Sequence, residues 1–279
     1  MPVAAARELL TDAERGSYAL PGFNVSNVEL ALGVLEAAEA CRAAVLLQLN
    51  SSNSEHMGGL EMAAAVLRTL AGHSSVPVGV HLDHGADKET LRRAAAAGCT
   101  SLMYDGSMLP LDQNLHETRA AVAIAGRSGL ALEAELGHVG GYEPGVVTSD
   151  VQLTDPDTAA RFVEATGVDA LAVSVGTAHG LAGEVHIDLV RELRVATRGL
   201  PLVLHGGSGV ELSALTEAVM AGVRKVNVSR EIHMAFARAL SDELGEQDSD
   251  PRPALRAARA EVAAVASARI DALGAVGSA

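Results

Sequence analysis

Three of the ten histidines, His84, His179 and His205, directly precede a glycine, within the runs His81-Leu82-Asp83-His84-Gly85, Gly176-Thr177-Ala178-His179-Gly180 and Leu204-His205-Gly206-Gly207-Ser208-Gly209. Each run directly follows an apolar or β-branched stretch, so His84, His179 and His205 are placed at strand ends. Three neutral imidazoles with an open fourth position form the ligand set of a catalytic zinc, which polarises a substrate carbonyl as a Lewis acid. A single histidine in such a loop is ordinarily just a hydrogen-bonded polar residue. Three of them, all beside glycine, point to convergence. His81, His56, His73, His116, His138, His186 and His233 lack that setting and are read as structural.

Carboxylates accompany the histidines. Asp83 precedes His84 directly, where it can shuttle a proton to a substrate oxygen or orient a histidine. Asp105 and Glu135 close two further apolar runs, and their type suits either a second divalent cation or structural salt bridges. Gly206, Gly207, Ser208 and Gly209, together with Asn227, Val228, Ser229 and Arg230, have the composition of an anion cradle built from backbone N–H groups and a helix start. A Gly-Gly-Ser-Gly run is often only a turn; the pairing of the two loops is the stronger signal.

These residues need a scaffold that brings distant strand ends together. Candidate strands lie near Leu20 to Val25, Ala44 to Leu49, Val78 to Leu82, Thr100 to Tyr104, Leu130 to Leu136, Ala170 to Val175, Leu202 to Leu204 and Val223 to Val228. Segments of helical period alternate with them, among them Asn27 to Ala40, Asp87 to Ala97, Leu111 to Gly126 and Asp155 to Thr166. Eight βα units predict an α/β fold, one (β/α)8 TIM barrel over residues 1–279, with its site at the C-terminal strand ends. Arg230 to Gly245 continues as helix, Asp248 to Pro253 breaks it, and Ala254 to Leu273 predicts extra C-terminal helix.

Composition narrows the partners. The formal net charge is −14, with only 21 Lys and Arg, which excludes a basic nucleic-acid surface. Any anionic ligand must therefore be held by local features. Arg7 and Glu8 interrupt the first residues, and no stretch approaches the ~20 apolar residues of a membrane span, so the expectation is a cytoplasmic protein without a membrane partner. Aromatic residues make up 2% of the chain, so Ala, Val and Leu must fill the core. Cys41 and Cys99 show no metal spacing and read as buried free thiols.

Taken together, the motifs resemble the class II, metal-dependent fructose- and tagatose-bisphosphate aldolase family over nearly the whole chain. They are Gly22-Phe23-Asn24-Val25, His81 to Gly85, Tyr104-Asp105-Gly106-Ser107, Glu133-Ala134-Glu135-Leu136-Gly137 with Gly140-Gly141, Ala172 to Gly180, Leu204 to Gly209, and Gly222-Val223-Arg224-Lys225-Val226-Asn227. The resemblance implies that His84, His179 and His205 hold a catalytic Zn2+ and that Asp105 and Glu135 match a second divalent position. It further implies Asp83 as acid/base at the C4 hydroxyl and Glu143 as the carboxylate exchanging the C3 proton of dihydroxyacetone phosphate. Asn24, Gly180, Gly206, Gly207, Ser208, Asn227, Val228, Ser229 and Arg230 match segments that bind the substrate, and Na+ or K+ accompanies such sites in the family. The implied partners are phosphorylated ketoses and triose phosphates, and the implied assembly is a homodimer or homotetramer.

Departures lie on the substrate side. Asn50 stands where the family usually has Ser, Tyr142 and Pro144 flank Glu143 where acidic residues are common, and Arg230 replaces the usual Thr. These leave open another ketose phosphate, such as 6-phospho-5-dehydro-2-deoxygluconate, whose aldehyde half is malonic semialdehyde. Three rivals are weighed. A Schiff-base aldolase needs a buried lysine, and the chain has only Lys88 and Lys225, the latter sharing the inward period of Asn227. A metal-dependent hydrolase barrel normally opens with His-x-His on its first strand, which Phe23-Asn24-Val25 does not offer. A non-catalytic sugar-phosphate binder would need neither Asp83 nor Glu143.

Overall fold

The computed structural model describes residues 3–143, 146–148, 151–179, 183–244 and 250–279. Its strands are β1 (Leu20–Asn24), β2 (Val45–Leu49), β3 (Val78–Gly85), β4 (Ser101–Tyr104), β5 (Ala131–Leu136), β6 (Gly141–Glu143), β7 (Val146–Thr148), β8 (Ala170–Val173), β9 (Leu202–Leu204) and β10 (Val223–Val228). All but β6 and β7 pair in parallel and close into a barrel in the order β1-β10-β9-β8-β5-β4-β3-β2. This is the expected (β/α)8 architecture, with β6 and β7 added as an antiparallel hairpin after β5.

The helices are α1 (Ala6–Gly16), α2 (Val28–Cys41), α3 (Ser51–His56), α4 (Leu60–His73), α5 (Lys88–Ala97), α6 (Leu111–Arg127), α7 (Pro156–Thr166), α8 (Ile187–Ala196), α9 (Leu212–Ala221), α10 (Arg230–Glu243) and α11 (Arg252–Ala272). Three of the predicted starts are caps rather than first turns. The side chains of Asn27, Asp87 and Asp155 accept from the amides of Leu30, Thr90 and Thr158, satisfying N–H groups that the helix itself leaves unpaired. The last helix begins before the predicted Ala254 because Pro253 sits in its first turn, where a missing N–H costs nothing.

Small side chains fill the interior, as the composition requires. Phe23 and Phe162 are the largest fully buried rings among Leu, Val and Ala. α11 packs across α2 and α10, and the chain end returns to α2 through Gly277 N–H to the Cys41 carbonyl (3.0 Å) and Ala279 N–H to the Arg42 carbonyl (3.0 Å). Cys99 is buried and Cys41 half-buried, both as free thiols. Among the described residues no helix is long and apolar enough to cross a membrane.

Ala6 and Leu10 of α1 close the N-terminal mouth beneath His81, Ser101, Glu133 and Lys225. Among the described residues that end is plugged, which leaves the C-terminal strand ends as the approach to the barrel axis.

Candidate active site

His84 and Asp83 are consecutive, and successive strand residues normally face opposite sides of a sheet. A register shift between β3 and β4 resolves the conflict: Leu82 pairs with Leu102, but Gly85 pairs with Tyr104, so β3 carries one extra residue. His84 takes up that bulge with φ +49°, in the left-handed region, which costs a non-glycine residue of order 1–3 kcal/mol. Both side chains thereby reach the mouth. Gly85 ends the bulge, where a Cβ would meet the Met103 carbonyl oxygen at 2.5 Å.

His205 directly follows β9, as expected. His179 does not directly follow a strand: five residues separate it from the end of β8 at Val173. Its amide instead donates to the Gly140 carbonyl at 2.7 Å, and it forms a parallel bridge with Gly141 at the base of the hairpin. Tertiary bonds, not the strand, fix this histidine.

The three rings meet. Ring centroids lie 4.8 Å apart for His84 and His205, 5.3 Å for His84 and His179, and 5.7 Å for His179 and His205. One nitrogen of each falls within 4.8 Å of the others, as do ligand atoms of the set His84, Asp105 and Glu135. The donor chemistry fits zinc: three imidazole nitrogens in one set, an imidazole and two carboxylates in the other. His205 Nδ1 is buried with no hydrogen-bond partner, while its Nε2 lies 3.0 Å from Glu133 Oε1. Burial holds the His205 pKa below the ordinary histidine value, which favours the neutral ring that a metal ligand requires. His84 points Nδ1 at Asp105 Oδ2 (2.8 Å), which orients its ring.

Asp83, 1% exposed, accepts one amide hydrogen on each oxygen, from Asn24 Nδ2 at 2.7 Å and from Asn227 Nδ2 at 3.0 Å. Asn24 Oδ1 in turn accepts from Gln48 Nε2 at 3.2 Å. Burial alone would push the Asp83 carboxyl up; the electrostatic pull of the neighbouring His84, His205, Lys225 and His81 outweighs it and holds the pKa well below the usual range. Asn24 and Asn227, singled out for substrate binding, thus spend their donors on Asp83 here.

Ser208 joins the two loops of the anion cradle: its Oγ accepts from Ser229 N–H at 3.0 Å and Glu231 N–H at 3.3 Å, capping α10. Gly206, Gly207, Ser208, Asn227, Val228 and Ser229 lie together at that end of the barrel, and Arg230 opens α10 on its exposed side. Gly180 and Pro144 fall outside the described residues. Glu143 lies on β6, and its side chain, like that of Tyr142, is not among those described.

The structure adds residues that the sequence reading assigned elsewhere. His138 is buried at the mouth and shares a pocket with His84, Asp105, Glu135 and His179, although nothing in its local pattern marks it. Glu133, which the motif Glu133-Ala134-Glu135-Leu136-Gly137 contains but to which the sequence reading gives no role, pairs with Lys225 Nζ at 2.7 Å as well as with His205. Burial pushes that carboxyl up, but Lys225 and the His205 hydrogen bond bring it to about 2. Asn50 caps α3 by accepting from Asn53 N–H at 2.9 Å, so this departure keeps a backbone role. Lys88 pairs with Glu117 at 2.8 Å on the outside of the barrel.

Fold and side-chain constellation together define a TIM-barrel protein with a metal-type site at its C-terminal mouth. The family model of class-II fructose-bisphosphate aldolase matches residues 4–278, and the chain belongs to that family. It is 35% identical over 283 residues to fructose-bisphosphate aldolase of Staphylococcus aureus (strain Mu50), covering 98% of each chain. It is 36% identical over 266 residues to a probable fructose-bisphosphate aldolase of Bacillus subtilis (strain 168), covering 93% of each. Among solved structures it is similar to the YdjI aldolase from Escherichia coli K12, with a TM-score of 0.88 at 33% identity, covering 99% of this chain and 98% of that one.

Proposed function

We propose that the chain is a zinc-dependent ketose-bisphosphate aldolase that reversibly cleaves fructose 1,6-bisphosphate or tagatose 1,6-bisphosphate to dihydroxyacetone phosphate and glyceraldehyde 3-phosphate. The observation that carries this reading is the meeting of His84, His179 and His205 beside a buried Asp83 whose two oxygens are each held by an amide. Those histidines would hold the zinc, with Asp105 and Glu135 available to a second divalent ion. Zinc supplies Lewis-acid polarisation of the substrate carbonyl when bound.

The protein's own groups supply the proton transfers. In the cleavage direction Asp83 takes the proton of the C4 hydroxyl as the C3–C4 bond breaks. C4 leaves as an aldehyde, and the electron pair stays with C3. The low carboxyl pKa keeps Asp83 ionised and able to accept, while Asn24 and Asn227 fix the direction in which its remaining lone pairs point. Glu143 then delivers a proton to C3, and condensation reverses both steps. Gly206, Gly207, Ser208, Asn227, Val228, Ser229 and Arg230 would hold the phosphate through the loop after β9 and the backbone N–H groups at the start of α10, and Gly180 is proposed to share in that binding. Na+ or K+ would sit beside the carbonyls of Gly180 and Gly206.

Lys225 argues against the Schiff-base route. A carbonyl is attacked by a free amine, whereas this ammonium is 1% exposed and paired with Glu133, below the histidines. The acting assembly would be a cytoplasmic homodimer or homotetramer. Replacing Asp83 with Asn tests the central assignment: triose-phosphate release should fall by at least ~100-fold while the protein still binds zinc. Unchanged release would remove Asp83 from the chemistry. A second reading, cleavage of another ketose phosphate such as 6-phospho-5-dehydro-2-deoxygluconate, is favoured by Arg230 at the start of α10, where a bidentate guanidinium replaces a hydroxyl.

A further inference from the structure

We propose that Glu133, anchored by its pairing with the buried Lys225, selects the tautomer of His205 and thereby sets the metal affinity of the site. The inference rests on the reading of His84, His179 and His205 as the zinc ligands.

Three fully or nearly buried groups form one line: Lys225 (1% exposed), Glu133 (4%) and His205 (0%). Lys225 Nζ donates to Glu133 Oε2 at 2.7 Å, and Glu133 Oε1 lies 3.0 Å from His205 Nε2. An ammonium can only donate and an ionised carboxylate can only accept, so the polarity of the line has one solution. Nε2 of His205 carries the hydrogen. Nδ1 therefore presents a lone pair toward His84 and His179, and it is this nitrogen that is buried without a hydrogen-bond partner.

Replacing Glu133 by glutamine turns the line around. Lys225 still demands an acceptor, so the amide oxygen faces Lys225 and the NH2 faces His205. Nε2 must then accept, and the ring proton moves to Nδ1, where it blocks the ligand position. Removing Lys225 as well frees the amide to rotate back. Its NH2 can turn toward His81 Nε2, which lies 3.8 Å from Glu133 Oε2 and has no hydrogen-bond partner, since His81 bonds Ser101 through Nδ1 at 2.7 Å. The acceptor then faces His205 again. Taking away a second residue should restore metal binding, an outcome no loss of packing produces.

The test measures zinc affinity of the metal-free protein by competition with a chromophoric chelator. In parallel, long-range nitrogen NMR reports which His205 nitrogen bears the proton. Glu133→Gln should weaken zinc binding by ~10–100-fold with the proton on Nδ1, and Glu133→Gln/Lys225→Met should recover most of it with the proton on Nε2. Equal affinity in wild type and Glu133→Gln, or a double variant no better than the single, overturns the inference. If Glu133→Gln does not fold, two neutral pairs decide. Glu133→Gln/Lys225→Met should bind zinc at least ~10-fold more tightly than Glu133→Leu/Lys225→Met, which lacks the acceptor, and equality would sink the proposal. Wild-type protein that takes up no zinc would instead refute the underlying reading of the histidines.

Discussion

Gly141 lies against His179 so closely that a Cβ on the glycine would overlap the histidine's backbone amide and carbonyl. That contact couples the hairpin carrying Glu143 to a candidate zinc ligand, and it stands in for the strand that ended at Val173. Gly141 also holds φ +117°, a conformation L side chains rarely adopt. Gly141→Ala should therefore displace His179, lowering both zinc occupancy and turnover, the latter by ~100-fold, as misplacement by about 1 Å does elsewhere. Metal analysis beside a cleavage assay checks it; full occupancy with full activity would show the contact to be incidental.

Asn24 and Asn227 donate to different oxygens of Asp83, so each should matter by about one charge-assisted hydrogen bond. Asn227→Ala is expected to lower kcat by about 10–100-fold, equivalent to roughly 1.5–3 kcal/mol, with zinc content unchanged. A change in KM alone would mean that the amide serves substrate binding rather than Asp83.

The barrel was readable because its signal is local: apolar strands alternating with amphipathic helices, with the caps Asn27, Asp87 and Asp155 falling at predicted starts. Inward parity on neighbouring strands also exposed Lys225 and Asn227. Other features were not readable, for physical reasons. The Asp83-His84 pair reaches one mouth only through a bulge and a left-handed φ at His84, which residue types do not announce. His179 is positioned by hydrogen bonds to Gly140 across the mouth, and His138 by a bridge to Gln152, both long-range contacts created by closure. The hairpin β6–β7 is two three-residue strands, too short to show alternation.

Lys225 offers a chemical check on the Schiff-base rival. Incubation with dihydroxyacetone phosphate and borohydride should leave the protein mass unchanged, since the ammonium is buried and ion-paired. A trapped adduct on Lys225 would reverse the assignment of mechanism.

Cys99 makes a pH-dependent prediction away from the site. Burial pushes its thiol up to about 12, against an ordinary value of 9.0. The folded pKa is raised, so the contribution to stability is complete below pH 9 and is lost as pH rises from about 9 to about 12, at up to ~1.4 kcal/mol per pH unit. Chemical denaturation at pH 8 and pH 10 should show a smaller alkaline loss in Cys99→Ala than in wild type. Identical losses would show that another group governs alkaline unfolding.

The most direct test of the central claim is triose-phosphate release from fructose 1,6-bisphosphate and, separately, tagatose 1,6-bisphosphate, measured before EDTA, after EDTA and after zinc is restored. The account predicts cleavage of at least one substrate, its loss on chelation and its recovery with zinc, the ratio of the two rates giving the preference at C4. Cleavage that survives complete removal of metal would contradict it.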